Sequence, residues 1–256
     1  MPSRILKTRA VVLRTRRMGE TSKLVTLYSE DEGKFKATAK GARKPKSKFG
    51  GALELMTEVQ VVCYLRDERD LQTLSDCDAL RSFPALLTDL ERLSFGSAAC
   101  ELIDRLTVER DPNRRLYRCL SGVLVGLEEV EPAQVEPLFW YFQLRAAEAL
   151  GYRPELGYCT SCREVLAGEW LWFSAPMGGG LCARCGPAAG GIRVAGNSLR
   201  LLAGLQALTA YRPEAMPPAP ARRGEIRSML RGFLECHGGQ YSHLKSLDFL
   251  ESTATK

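Results

Sequence analysis

The stretch "KLVTLYSEDEGKFKATAKGARKPKSKFGG", residues 23–51, decides how the first third of the chain is read. Within it, "KLVTLYS" (23–29) and "KFKATAK" (34–40) read as two strands separated by the turn residues "EDEG". Side chains alternate across a strand, so Phe35, Ala37 and Ala39 share one face of the second strand while Lys34, Lys36, Thr38 and Lys40 share the other. The apolar set is expected to face a core. The lysines form a positive stripe that runs into a loop carrying Arg43, Lys44, Lys46 and Lys48.

Similar segments lie on both sides, at about 8–17 ("TRAVVLRTRR"), 53–65 ("LELMTEVQVVCYL") and 71–80 ("LQTLSDCDAL"). The breaks between them are "MGETS", the basic loop and "RDERD". Five short antiparallel strands in about 75 residues expose too many edges unless the sheet closes, so a five-stranded OB-fold barrel is expected over residues 1–81. After Pro84, suited to the first turn of a helix, the period changes. Leu86, Leu90, Leu93, Cys100, Ile103 and Leu106 step by three, four or seven and line one helix face, ending before "DPN" at 111–113. Further helices are expected over about 114–129, 133–150, 198–210 and 222–236. The segment "LFWYFQLRAAEAL" is apolar nearly all round at its start, as suits a central core helix. The fold class is therefore α+β and multidomain, with a helical domain over 82–256 that contains a cysteine-rich insertion at 157–188.

That insertion holds "CTSC" at 159–162 and "CARC" at 182–185, two C-x-x-C knuckles with 19 residues between them. Each knuckle can wrap one side of a tetrahedral ion, which makes Cys159, Cys162, Cys182 and Cys185 the ligand set of one structural Zn2+ per chain. A redox dithiol needs no second knuckle, and four buried thiols need no such spacing. With every position filled by thiolate, none remains for an activated water. The intervening residues fit a short hairpin, with Trp170, Trp172 and Phe173 covering the metal. Cys63, Cys77, Cys100, Cys119 and Cys236 stand singly and read as small core residues. His237 and His243 flank "GGQYS" and read as cap or surface residues.

The net charge of +6 hides an asymmetry. Residues 1–50 hold 14 Lys and Arg against 4 Asp and Glu, a net of +10, and the other 206 hold 22 against 26, a net of −4. Such an excess concerns an anionic partner more than the fold. The plain alternative is a solvated basic face. Packing Lys34, Lys36, Lys40, Arg43, Lys44, Lys46 and Lys48 together is self-repelling, however, and phosphates along a nucleic-acid strand would relieve the repulsion and release counterions. Arg14, Arg16 and Arg17 would widen the footprint. Stacking aromatics are few, Tyr28, Phe35 and Tyr64 at most, so binding is expected to be led by the backbone and weak in sequence preference.

Catalysis is not expected. A ligase needs a K-x-D-G lysine, an ATPase a G-x-x-x-x-G-K-[ST] loop and a metal nuclease clustered carboxylates, and the sequence contains none of these patterns. A second non-enzymatic reading is an adaptor whose basic barrel docks an acidic protein tail. The chain has neither a run of 18 apolar residues nor a signal-peptide pattern at its start, and is read as cytoplasmic, with no membrane partner.

The combination of "GE" at 19–20, "KGARKPKSKFGG" at 40–51, "LGYRPELGYCTSC" at 150–162 and "CARC" at 182–185 resembles the RecO family of bacterial DNA repair and recombination mediators. The resemblance implies an N-terminal OB-fold and a C-terminal helical domain with a zinc-finger insertion. It also implies binding of single- and double-stranded DNA, strand annealing, contact with the single-stranded DNA-binding protein (SSB), and work with RecR in loading RecA, at the nucleoid. The family's DNA-binding role falls on Lys40, Arg43, Lys44, Lys46 and Lys48. The closing "HLKSLDFLES" resembles the family's end, with Leu247 and Asp248 where more basic character is expected.

Overall fold

The computed structural model describes residues 4–66, 68–238 and 244–254. Strands β1 (Arg4–Met18), β2 (Ser22–Ser29), β3 (Gly33–Ala39), β4 (Glu58–Leu65) and β5 (Leu71–Arg81) close into an OB-like barrel in the order β1-β2-β3-β5-β4. β4 returns to β1 antiparallel, and a short parallel ladder from Lys36 opposite Leu71 to Thr38 opposite Thr73 completes the ring. The alternation expected of β3 is present, with Phe35, Ala37 and Ala39 buried beside Val25, Leu27, Val59 and Val61.

The fourth strand starts later than its sequence suggests. Residues 53–57 form turns at the mouth of the barrel, where Leu53 and Met56 are both 1% exposed. The turn carries both side chains inward, and Met56 within it takes a φ of 69°. The hydrogen bonds follow the turn: the Met56 N–H donates to the Val12 carbonyl at 2.9 Å, and the Val12 N–H to the Thr57 carbonyl at 3.0 Å.

The single helix expected after Pro84 is two, α1 (Pro84–Thr88) and α2 (Leu90–Leu106). Asp89 between them is extended, and its carboxylate accepts the Arg92 N–H at 2.9 Å, so a short acidic side chain acts as the cap of α2. The break leaves Leu87 and Leu90 exposed while Cys100 and Ile103 stay fully buried. Helix α3 (Arg114–Glu129) follows the expected bounds and locks onto the barrel through the Tyr117 hydroxyl, which donates to buried Glu58 at 2.8 Å. The turn before α3 also presses on the β2–β3 hairpin. Gly33, at a φ of +69°, would place a Cβ 2.3 Å from the Asp111 carbonyl oxygen, which explains the glycine of "EDEG". The last helix, α7 (Lys245–Ala254), packs on α2, with the Ser246 N–H and hydroxyl donating to Glu101 at 3.3 and 3.2 Å.

The change from strand to helix at residues 81–84 is not where packing divides the chain. One compact unit comprises the barrel, α1 to α3 and α7, and the other begins at Glu129 and runs through α6. The second unit contains α4 (Val135–Ala149), β6 (Trp170–Ser174), β7 (Gly179–Leu181), β8 (Ile192–Ala195), α5 (Gly196–Ala207) and α6 (Arg223–His237). From Val135 to Leu144, α4 is buried on every side, and it packs against α5 and α6. Its Glu136, 2% exposed, is met by Arg223 at 3.7 Å and by Arg227, so the buried charge is paired. The hairpin expected between the knuckles is β6–β7, and β8 adds a third strand on the other side of β6.

Candidate nucleic-acid interface and metal centre

The basic loop is irregular and firmly held. Ala42, Phe49, Ala52 and Leu53 turn inward and join the barrel core. The Arg43 N–H donates to the Thr21 carbonyl at 2.9 Å, and its guanidinium donates to the Gly19 and Glu20 carbonyls at 3.1 and 2.8 Å. Lys48 donates to the Ser75 carbonyl and lies 5.4 Å from the centre of the Phe49 ring. Apolar side chains thus anchor the loop from within while its cations face outward.

Packing divides the ten candidate cations into two groups. Lys34 is 11% exposed at its side chain, donates to the Asp104 carbonyl and stands 3.5 Å from the Asp104 carboxylate. Arg14 reaches the same carboxylate at 2.5 Å, and Lys36 pairs with Glu109. These three answer the C-terminal end of α2 and the segment after it, where helix carbonyls add negative potential. Lys40, Lys44, Lys46, Arg16 and Arg17 are exposed and have no acidic partner among the described residues. Arg43 and Lys48 bond only carbonyls and keep their charge uncompensated. The open positive surface therefore follows the loop and the end of β1, and the stripe on β3 contributes mainly Lys40.

Of the three aromatic candidates for base stacking, Tyr28 and Phe35 are buried at 0% and 1%, and only Tyr64 is open, at 43%. Burial also raises the Tyr28 pKa, as expected of a core phenol. Arg66 and Arg69, within the segment read only as the turn "RDERD", stand with Lys40 and Tyr64 at one cleft. Sequence alone shows nothing that brings residue 40 to residues 64–69, because the parallel pairing of β3 with β5 is a long-range event.

In the second unit the four knuckle sulfurs lie within 4.8 Å of one another, and those of Cys162 and Cys182 are 3.7 Å apart. Thiolates about 2.3 Å from a tetrahedral ion stand about 3.8 Å apart, so the cluster fits zinc. The knuckles share one backbone turn: the Arg163 N–H donates to the Cys159 carbonyl, and the Gly186 N–H to the Cys182 carbonyl, each at 2.9 Å. Burial opposes ionisation of Cys159, yet backbone hydrogen bonds from Cys162, Cys182 and Ser161 bring its pKa to about 6. At Cys185 a hydrogen bond from Ser161 favours the thiolate, but the thiols of Cys182 and Cys162, burial and Cys159 together carry the pKa to about 11. One thiolate opposes the next, and only a cation lets all four ionise together.

Trp172 packs against the backbone of the second knuckle, beside Cys185. Gly186 lies so close to it that a Cβ there would fall 2.1 Å from the indole. Trp170, expected beside it, lies between Arg193 and Arg222, whose guanidinium carbons are 4.4 and 5.1 Å from its ring centre. Successive strand residues face opposite ways, which assigns Trp170 and Trp172 to one face of β6 but leaves their neighbours to be set by the strands and loops that pack there. His237 contacts the Ala175 carbonyl at 2.8 Å and packs on Phe233, a structural role. His243 lies outside the described residues.

Comparison with known proteins gives the family of the chain. The family described as "Recombination protein O N terminal" matches residues 1–83, and "Recombination protein O C terminal" matches residues 87–248. The DNA repair protein RecO of Pelotomaculum thermopropionicum is 36% identical over 97% of this chain and 94% of its own length. That of Salinibacter ruber is 36% identical over 90% of this chain and 87% of its own, and that of a Nocardioides species 33% over 96% and 99%.

Proposed function

The chain belongs to the RecO family of DNA repair proteins, and from that premise we propose that it is a non-catalytic mediator that holds DNA on the loop of its barrel. The observation that carries this reading is the set of cations without acidic partners among the described residues, Arg16 and Arg17 at the end of β1 and Lys40, Arg43, Lys44, Lys46 and Lys48 on a loop whose apolar residues fix it to the barrel core. Phosphates neutralise these charges and release counterions, which drives binding without reading sequence. Arg14 and Lys36, themselves exposed, can exchange their acidic partners for phosphate at small cost, whereas the more enclosed Lys34 stays committed to Asp104.

The same surface lowers the repulsion between two complementary strands, so annealing requires no ATP. Family membership supports the rest of the reading: annealing on SSB-coated single strands, partnership with RecR and delivery of RecA, in the cytoplasm at the nucleoid. No helix among the described residues is long and apolar enough to cross a membrane. In the second unit, Cys159, Cys162, Cys182 and Cys185 would hold one Zn2+ that ties the two knuckles together and serves structure only.

Titration of a single-stranded oligonucleotide at several salt concentrations tests the DNA reading. Contacts by Lys40, Arg43, Lys44, Lys46 and Lys48 should give log affinity against log salt a slope of roughly −3 to −4. An affinity indifferent to salt, or an acidic peptide bound in place of DNA, would overturn it in favour of a protein-docking barrel.

A further inference from the structure

At the ends of β3, β4 and β5 the barrel carries a cleft of about 350 Å³ lined by Lys40, Tyr64, Arg66, Arg69, Leu71 and Thr73, with Gln72 at its floor. Register explains how they meet. Ile5 of β1 stands opposite Tyr64, Tyr64 opposite Thr73, and Thr73 opposite Thr38, so one row of outward side chains crosses four strands and ends two residues short of Lys40. Ile5 and Tyr64, 62% and 43% exposed, form an apolar shelf at one end of this row. The cations Lys40, Arg66 and Arg69 have no acidic partner among the described residues.

The loop bearing the two arginines is held by the buried Gln72 and by Arg110. The side-chain oxygen of Gln72, a residue 2% exposed, accepts the Arg66 N–H at 2.7 Å, and its nitrogen donates to the Arg66 carbonyl at 3.2 Å and to the Arg69 carbonyl. The Arg110 guanidinium donates to the same two carbonyls at 2.9 and 3.1 Å. These bonds satisfy the Arg66 N–H and the Arg66 and Arg69 carbonyls and leave the Arg66 and Arg69 side chains to the cleft. Acidic Glu68 and Asp70 lie in the same loop and do not line it.

We propose that this cleft is a single-strand subsite in which one unpaired base stacks on Tyr64 while Lys40, Arg66 and Arg69 hold the flanking phosphates. The strand then leaves the basic loop at Lys40 and crosses the barrel over β5 and β4. An aromatic face among cations suits a nucleotide because each base has a π-face and each link a negative charge. Bases of a duplex are stacked on one another and paired, so the subsite favours single strands over double strands.

The subsite rests on the DNA reading above, and the experiment separates the two. The full-length wild type, Tyr64→Ala, Tyr64→Phe and Arg66→Gln/Arg69→Gln are titrated with a single-stranded oligonucleotide, the same strand made abasic, and its duplex. Tyr64→Ala should weaken the single strand by roughly 5- to 150-fold with an unchanged salt slope, and leave the abasic strand and the duplex as they were. Tyr64→Phe should restore wild-type affinity. The double arginine variant should reduce the salt slope by about 1.4. If the wild type binds in a salt-dependent way but Tyr64→Ala behaves like it, or loses all three ligands equally, the subsite is wrong and the basic loop stands. A wild type that binds none of them overturns the DNA reading itself.

Discussion

The basic loop after β3 and the cysteine module after α4 are both rich in glycine, and they are held by different means. The loop is ordered from beneath, by Phe49, Leu53 and their neighbours in the barrel core, so its charged groups are free to act. The module gathers its four cysteine sulfurs at its centre, where on the proposed reading a metal would close the fold with the side chains that could react. Its glycines serve close packing as well: at a φ of +157°, a Cβ on Gly179 would lie 2.1 Å from the Glu155 carbonyl oxygen. A segment held by a hydrophobic anchor can offer its polar side chains to a ligand. One held by four thiolates has already used them.

If that contrast is right, metal removal gives the largest effect and confines it to the module. Metal analysis should find one zinc per chain, and its removal should unfold the knuckles, since binding and local folding are one free energy. Cys182→Ser should lower solubility and the zinc content while DNA affinity and salt slope change little. Loss of DNA binding in step with zinc would break the comparison.

The barrel loop should respond instead to loss of its anchor. Phe49→Ala removes a ring 3% exposed and should cost about 3–5 kcal/mol in denaturant unfolding, with faster amide exchange over 41–57. A cost under about 1 kcal/mol would mean that the backbone bonds at Arg43 hold the loop unaided.

A smaller effect isolates charge from anchoring. Lys44→Ala with Lys46→Ala touches exposed side chains and should leave stability within about 0.5 kcal/mol. It should reduce the salt slope by about 1.4 and weaken all sequences alike. Arg43→Ala should do more than its charge predicts, because the guanidinium also fastens the loop to Gly19 and Glu20.

The least effect is expected at the single cysteines. Burial, then the nearby carboxylates Glu32 for Cys63, Asp78 and Asp76 for Cys77, and Asp104 for Cys100, push all three thiols up to about 12. At pH 8 roughly one part in ten thousand of each is thiolate, so alkylation of the zinc-loaded protein should pass them by and mark exposed Cys236, without change in DNA affinity. Rapid labelling of Cys100 in the native protein would show that α2 opens readily.

Much of this was legible in the chain as written. The period-two pattern of "KFKATAK" set which side chains point inward, the C-x-x-C spacing picked out the four cysteines that cluster, and the shift to a helical period located α3 to within its ends, because each depends on residues close in sequence. The break at Asp89 was also local, yet a continuous apolar period over 86–106 concealed a capping residue. Other outcomes needed the closed fold. Whether a lysine is free or already paired depends on what packs against it: Lys34 and Lys36 meet acids about 70 residues away, at the end of α2 and beyond, and Lys40 meets none among the described residues. The same holds for Tyr64, left open while Tyr28 and Phe35 were enclosed, and for the meeting of Lys40 with Arg66 and Arg69 across β5. Local periodicity sets the direction of a side chain relative to its own strand. Only the closure of the barrel, which pairs strands distant in sequence, decides what that side chain meets there.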